Sequence, residues 1–134
     1  MLRQFDETSF VSGQIRPEDV PALATSGITL IVNNRPDGEQ PGQPAAAEIE
    51  AAAEAARLHY LHLPVTQLSP EQVETMAEAL ASARGPVLAF CASGTRSTYL
   101  WALAQSSRGE DGDTLAAKAA AAGYDLTPIR RFLG

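Results

Sequence analysis

The sequence has few of the side chains that build disulfides and metal centres. It contains one cysteine and two histidines. A single cysteine cannot form an internal disulfide, and three such side chains are a poor donor set for a structural zinc site. The lone Cys91 is therefore either a small buried side chain or a reactive thiol.

Basic residues are outnumbered, and long apolar runs are missing. Ten Lys and Arg stand against 16 Asp and Glu, a formal net charge of −6. This balance argues against a nucleic-acid or anionic-membrane surface, which needs clustered positive charge. No stretch approaches the ~20 apolar residues that cross a bilayer, and residues 1–7 are polar, unlike the core of a signal peptide. We expect a cytoplasmic protein without nucleic-acid or membrane partners, although small anionic ligands remain compatible with its charge.

What is present suffices for one folded domain. The 134 residues are 45% hydrophobic and 19% charged, and a chain of this length can bury about two-thirds of its unfolded surface. Strand-like runs alternate with helix-like spacing along the whole chain. The sequence therefore predicts a single domain over residues 1–134, an α/β fold with an open, parallel-rich sheet flanked by helices.

Glycine, proline and helix-capping residues mark the boundaries of the predicted strands and helices. Strands are expected at residues 10–11, 28–32, 60–63 and 86–90, the last being the most apolar and therefore central. Helices are expected from Pro17 to a stop at Gly27, over residues 44–58, and from about 98 to 107. Ser69, Pro70 and Gln72 form a capping-box pattern that opens another helix. Two C-terminal helices follow, one from residue 113 to 123 and a short one from residue 127.

The segment after the most apolar strand carries the chemistry. It reads Cys91-Ala92-Ser93-Gly94-Thr95-Arg96-Ser97 and leads into a helix. Ligands of open α/β sheets bind at the carboxyl ends of strands, where the N-terminus of the next helix offers unpaired N–H groups.

Each residue type in this segment suits anion binding. The side chains from Ala92 to Thr95 are small, so successive backbone amides can curl around an oxyanion. Arg96 supplies a planar fork for two oxygens, and the same positive field favours a thiolate at Cys91. Ser97 could donate a hydrogen bond to that thiolate when it leaves. The alternative is a packed cysteine with Arg96 in solvent.

Motifs along the chain resemble a known family. The pattern Cys-x-Ser-Gly-x-Arg-Ser is preceded by Asn33-Asn34-Arg35-Pro36-Asp37-x-Glu39 and by His62-Leu63-Pro64-Val65, and is followed by Trp101. Together they resemble the phosphatase-like domain of the β-lactamase hydrolase-like proteins, which is similar in fold to dual-specificity phosphatases. The resemblance runs from about residue 10 to 133.

The resemblance implies roles for these residues. Cys91 corresponds to the nucleophile, Arg96 to the phosphate-binding arginine and Ser97 to the hydroxyl after it, and residues 92–95 correspond to the backbone cradle. Because arginine and backbone dipoles stabilise the charge, no metal or organic cofactor is implied. Fusions in this family also suggest a β-lactamase-like hydrolase as a partner.

Two features depart from tyrosine phosphatases. Four residues rather than five separate Cys91 from Arg96, which is similar to the active loop of rhodaneses, and Phe90 stands where those phosphatases usually have histidine. The shorter ring could suit sulfane sulfur or thiosulfate. A sulfurtransferase that works through a Cys91 persulfide is therefore the second hypothesis.

The general acid is not obvious in the sequence. Dual-specificity phosphatases take an Asp from a loop well before the cysteine, but residues 61–70 contain no Asp or Glu. Asp37 is the first candidate, Glu39 the next and His62 a poorer one. The alternatives are a structural Arg35–Asp37 ion pair and a packed histidine.

Three functions remain open at this point. The first is a cysteine-dependent phosphatase-like hydrolase of a phosphate monoester or another small oxyanion. The second is sulfur transfer, and the third is a non-catalytic module that binds a phosphate-, sulfate- or thiosulfate-like ligand, because one fold hosts several functions.

Overall fold

Five strands form one sheet in the computed structural model, which describes residues 2–134. They are β1 (Arg3–Gln4), β2 (Ser9–Ser12), β3 (Leu30–Asn33), β4 (His59–His62) and β5 (Val87–Phe90). The order across the sheet is β1-β2-β5-β3-β4. Only β1 is antiparallel to its neighbour, so the predicted parallel-rich α/β sheet with a central last strand is confirmed. The short β1 was not predicted, because it lies in the polar N-terminal segment.

Five α-helices surround the sheet. They are α1 (Val20–Thr25), α2 (Ala46–Ala55), α3 (Pro70–Ser82), α4 (Thr95–Ser107) and α5 (Gly112–Ala121), with 3-10 helices at Pro17–Asp19 and Thr127–Phe132. Within residues 2–134, none of the helices has both the length and the apolar character that crossing a bilayer requires.

Several element boundaries differ from the sequence prediction, and two of these differences have a direct cause in the backbone. Helix α4 begins three residues earlier than expected, because Gly94 adopts a left-handed φ of 93° as its N-cap and turns the chain directly into the helix. Strand β3 begins two residues later than expected, because the Ile28 amide still bonds to the Leu23 carbonyl at the end of α1.

Alternate residues of the central strands pack on opposite faces of the sheet. Ile31, Leu88 and Phe90 form one core cluster with residues of α1 and α2. The neighbouring positions pack against α3 and α4, together with Met76 and Leu100. Burial on both faces explains why these strands are continuously apolar rather than alternating.

The four parallel strands end at the same level. Ser12 pairs with Phe90, Phe90 with Asn33, and Asn33 with His62. The loops that follow these residues therefore start together at one edge of the sheet, where the sequence predicts the functional loop.

The capping box predicted for α3 is present, and its contribution to stability is testable. The Ser69 hydroxyl accepts from the Gln72 amide at 3.3 Å, and the Gln72 side chain accepts from the Ser69 amide at 3.0 Å. Ser69→Ala should lower the free energy of unfolding by about 1 kcal/mol, measured in urea. Ser82→Ala is the matched control, because that hydroxyl donates only to carbonyls of its own helix, those of Glu78 and Ala79, on the exposed last turn. Its effect should stay within about 0.5 kcal/mol. Equal effects would contradict the capping account.

Candidate active site

The predicted loop wraps around the Cys91 thiol. Cys91 directly follows β5 and is fully buried, and its Sγ accepts a hydrogen bond from the Gly94 amide at 3.1 Å. Gly94 is required here for two reasons. Its φ of 93° is disfavoured for other residues, and an added Cβ would collide with the Tyr124 hydroxyl. The loop therefore holds an N–H donor directly on the sulfur atom.

Contacts from outside hold the carbonyl groups of the loop. The backbone N–H of Gln14 donates to the Ala92 carbonyl at 3.3 Å, and the Tyr124 hydroxyl donates to the Ser93 carbonyl at 3.0 Å. The Thr98 hydroxyl donates to the Gly94 carbonyl at 2.7 Å.

Three backbone amides of the segment from Ala92 to Arg96 are free to bind a ligand. Within residues 2–134, the backbone amides of Ala92, Ser93 and Arg96 donate to no protein acceptor. Successive free amides at the start of a helix are a common way to bind an oxyanion. Of the four residues predicted to form the cradle, Ala92 and Ser93 have free amides, whereas the Gly94 amide bonds to Sγ and the Thr95 amide to the Ser93 hydroxyl. The amide of Arg96 is a third free donor.

The Arg96 guanidinium is clamped along one edge. Its Nη1 and Nη2 donate to the two carboxylate oxygens of Glu39 at 2.8 and 2.9 Å, and Nη1 also donates to the Val65 carbonyl at 2.8 Å. A guanidinium has five N–H donors, and these bonds use three of them. The other two, on Nε and Nη2, share the adjacent edge and donate to no oxygen or nitrogen atom of the described residues. That edge is oriented and available to bind two oxygens of a ligand.

Charge effects support this arrangement. Hydrogen bonds from Arg96 and then Arg35 lower the pKa of Glu39 to about 2, so its carboxylate is ionised at neutral pH. The Glu39 hydrogen bond is also the main cause that raises the pKa of Arg96, and the negative charge of a Cys91 thiolate raises it further. The charges of Glu39, Arg96 and Cys91 are therefore coupled.

Arg35 is buried and also binds Glu39, so Arg35, Glu39 and Arg96 form one charged cluster. Its Nε donates to Glu39 Oε1 at 2.9 Å and its Nη1 to Gln14 Oε1 at 3.0 Å. The sequence offered an Arg35–Asp37 ion pair as the structural alternative. In the structure Arg35 pairs with Glu39 instead, so Glu39 bridges two arginines.

Asp37 and His62 lie in structural roles. Asp37 Oδ1 accepts from the Ala46 amide at 2.7 Å and stabilises the first turn of α2. His62 Nε2 lies 3.1 Å from the Arg35 carbonyl and must carry a proton to donate to it. Asp37 was the first of the candidates for a general acid and Glu39 the next, and Glu39 is the carboxylate that the fold brings to Arg96.

Ser97 has a different partner from the one expected. Its buried hydroxyl donates to Asn34 Oδ1 at 2.8 Å, while Asn34 Nδ2 donates to the Leu63 carbonyl at 2.9 Å. The NH2 group of the Asn34 side chain donates to Leu63, so the atom that faces Ser97 is the side-chain oxygen of Asn34. This oxygen can only accept, and the Ser97 hydroxyl is therefore the donor. Asn34 thus links the loops after β3 and β4 to α4.

Sequence reasoning missed three supports of the site. Val65 contributes a backbone carbonyl, Tyr124 comes from beyond α5, and Asn34 was only part of a motif. A contact through a backbone carbonyl does not depend on the type of side chain, so the sequence does not reveal it. Tyr124 is far from Cys91 along the chain, so no local sequence pattern connects the two residues. Within residues 2–134, no three His, Cys, Asp or Glu side chains are grouped to hold a metal ion.

The Glu39–Arg96 clamp should be measurable as an energetic coupling. A double-mutant cycle with Glu39→Gln and Arg96→Gln should give a coupling of about 1 kcal/mol or more in the free energy of unfolding, because the pair is bidentate and partly buried. The Arg16–Glu18 pair, 3.5 Å apart and exposed, is the control. Its coupling should be about 0–0.5 kcal/mol. A Glu39–Arg96 coupling no larger than this would show that the carboxylate does not hold the arginine.

Comparison with known proteins places this geometry in a family. Residues 1–108 match the phosphatase-like domain of the Beta-lactamase hydrolase-like protein family. A Beta-lactamase hydrolase-like protein of Agrobacterium fabrum is 35% identical over 108 residues, which cover 79% of this chain. The chain spans only 25–29% of the length of the curated relatives it matches.

Solved structures show the same fold. The structure of a candidate phosphatase from Neisseria meningitidis is 35% identical, with a TM-score of 0.83 over 96% of this chain and 93% of that one. Kinase-associated phosphatase, at 12% identity, has a TM-score of 0.72 over 91% of this chain and 80% of its own, which shows the fold alone. The chain belongs to the phosphatase-like domain family of the Beta-lactamase hydrolase-like proteins.

Proposed function

We propose that this domain is a cysteine-dependent phosphatase in which Cys91 is the nucleophile. The observation that carries the proposal is that the sulfur atom, the free amides of the loop and the oriented edge of Arg96 belong to one short segment. Family membership supports a phosphatase-like hydrolase. The cysteine mechanism and the substrate are the proposal.

The first step forms a phosphocysteine. The Cys91 thiolate attacks phosphorus, the S–P bond forms, and the P–O bond to the leaving group breaks with its electron pair staying on oxygen. The non-bridging oxygens accept hydrogen bonds from the loop amides and from Nε and Nη2 of Arg96. These donors are fixed before substrate arrives, so they stabilise the charge of the transition state without reorganisation.

The second step returns the enzyme to its resting state. Water attacks phosphorus, the S–P bond breaks, inorganic phosphate forms, and the thiolate leaves. The Gly94 amide already bonds to Sγ and stabilises this thiolate. A direct role of Ser97 at this step stays a prediction, since its proton is directed to Asn34.

Sulfur transfer is the second candidate. One observation favours it, the four-residue spacing between Cys91 and Arg96. A Cys91 thiolate would attack the sulfane sulfur of thiosulfate, release sulfite and hold the sulfur as a persulfide. The non-catalytic binding module, the β-lactamase-like hydrolase partner and the cytoplasmic location also stay predictions.

The mass of the intact protein separates these functions. Reduced protein is incubated separately with p-nitrophenyl phosphate and with thiosulfate, quenched in acid and compared with Cys91→Ser. The proposal expects turnover of the aryl phosphate and a mass increase of one phosphoryl group, both absent in the variant.

The other outcomes have distinct meanings. An added sulfur atom on the wild type, with no turnover of the phosphate, would assign sulfur transfer. Phosphate binding without either adduct, retained in Cys91→Ser, would leave the non-catalytic module. Ser82→Ala is the control for the substitution itself, because it removes an exposed hydroxyl on the last turn of α3 and leaves the Cys91 loop intact.

A further inference from the structure

We propose that this site acts on phosphates whose leaving group departs without a proton, such as acyl phosphates, phosphoanhydrides and esters of acidic phenols, and not on esters of simple alcohols. The proposal rests on the proposed function and names its substrate class. It follows from the absence, around the Cys91 loop, of a described side chain that is free to donate a proton to a leaving group.

The carboxylate nearest to Arg96 is held in its ionised form by geometry. Glu39 accepts three guanidinium N–H bonds, two from Arg96 and one from Arg35. Protonation would remove the negative charge on which these three bonds to two cations depend. Glu39 therefore orients Arg96 and has no proton to give.

The other candidate acids are occupied elsewhere. Asp37 accepts from the Ala46 amide at the start of α2, and His62 donates to the Arg35 carbonyl. Residues 61–70, from the end of β4 to the start of α3, contain no Asp or Glu. The loop after β3 thus directs its two carboxylates to a helix terminus and to arginines, and the loop after β4 has no carboxylate.

The hydroxyl groups around the loop also donate their protons to acceptors within the protein. Tyr124 donates to the Ser93 carbonyl, and burial raises its pKa. Ser97 donates to Asn34, and Ser93 to the Thr95 hydroxyl. An effective general acid has a pKa near the working pH, which excludes alcohols and a phenol of raised pKa.

This inventory has a direct chemical consequence. When the S–P bond forms and the P–O bond breaks, the electron pair stays on the leaving oxygen, and the anion takes its proton later from bulk water. The rate of this step then depends on how stable the free anion is. Carboxylates, phosphates and acidic phenolates are stable anions, whereas the alkoxide of a simple alcohol is a strong base.

A leaving-group series tests the proposal on the full chain. The values of kcat/KM are measured for 2,4-dinitrophenyl, 4-nitrophenyl and phenyl phosphate, for acetyl phosphate and for ethyl phosphate, with Cys91→Ser as the blank. The quantity kcat/KM reports the steps through the first irreversible one, so slow hydrolysis of the phosphocysteine does not mask it. We expect a fall of about fivefold or more for each unit of leaving-group pKa, turnover of acetyl phosphate, and none of ethyl phosphate.

A shallow dependence would overturn the proposal. If kcat/KM changes by less than about twofold per unit of leaving-group pKa, a proton donor acts in the site. Asp37→Asn, which keeps an oxygen for the Ala46 amide, would then steepen the dependence if Asp37 were that donor. Asp111→Asn is the matched control, because Asp111 also accepts from a backbone amide at a helix start, that of Thr114, but lies beyond the far end of α4, and it should leave the dependence unchanged. Absence of Cys91-dependent turnover even of 2,4-dinitrophenyl phosphate is a separate result, because it overturns the proposed function and this inference with it.

Discussion

The carboxylate of Glu39, held between two guanidinium groups, is the interaction on which the site depends. Through Arg35 it reaches Gln14, in the loop after β2, and through Arg96 it reaches the start of α4 and the Val65 carbonyl in the loop after β4. Glu39 itself lies in the loop after β3. One side chain thus joins the loops that follow three parallel strands to the helix that follows the fourth.

The cluster of Glu39 with Arg35 and Arg96 also reduces the repulsion between the two positive charges. Two arginines facing an anion site would repel each other, and a carboxylate that took the whole guanidinium would block the ligand. Here Glu39 neutralises one of the two positive charges and uses only the Nη1–Nη2 edge of Arg96. One net positive charge and one oriented edge remain for an oxyanion, even though the whole chain carries a net charge of −6.

Most of the fold and the centre of the site could be predicted from the sequence. The apolar strands, the capping box at Ser69 and the glycine stops have local signatures, and the Cys91 to Arg96 segment has a recognisable composition after a buried strand. The level at which the parallel strands end could not be predicted, because it depends on register between distant segments. For the same reason, the sequence did not separate Asp37 from Glu39. The two carboxylates are two residues apart in one loop, and only the fold directs one to a helix terminus and the other to Arg96.

A crystal structure of Cys91→Ser with bound tungstate tests the central claim most directly. The account predicts the oxyanion inside the loop, with oxygens accepting from Nε and Nη2 of Arg96 and from the amides of residues 92, 93 and 96, while Glu39 keeps its bonds to both arginines. A tungstate ion that replaces Glu39 on the Nη1–Nη2 edge, or a loop that stays empty at saturating tungstate, would contradict it.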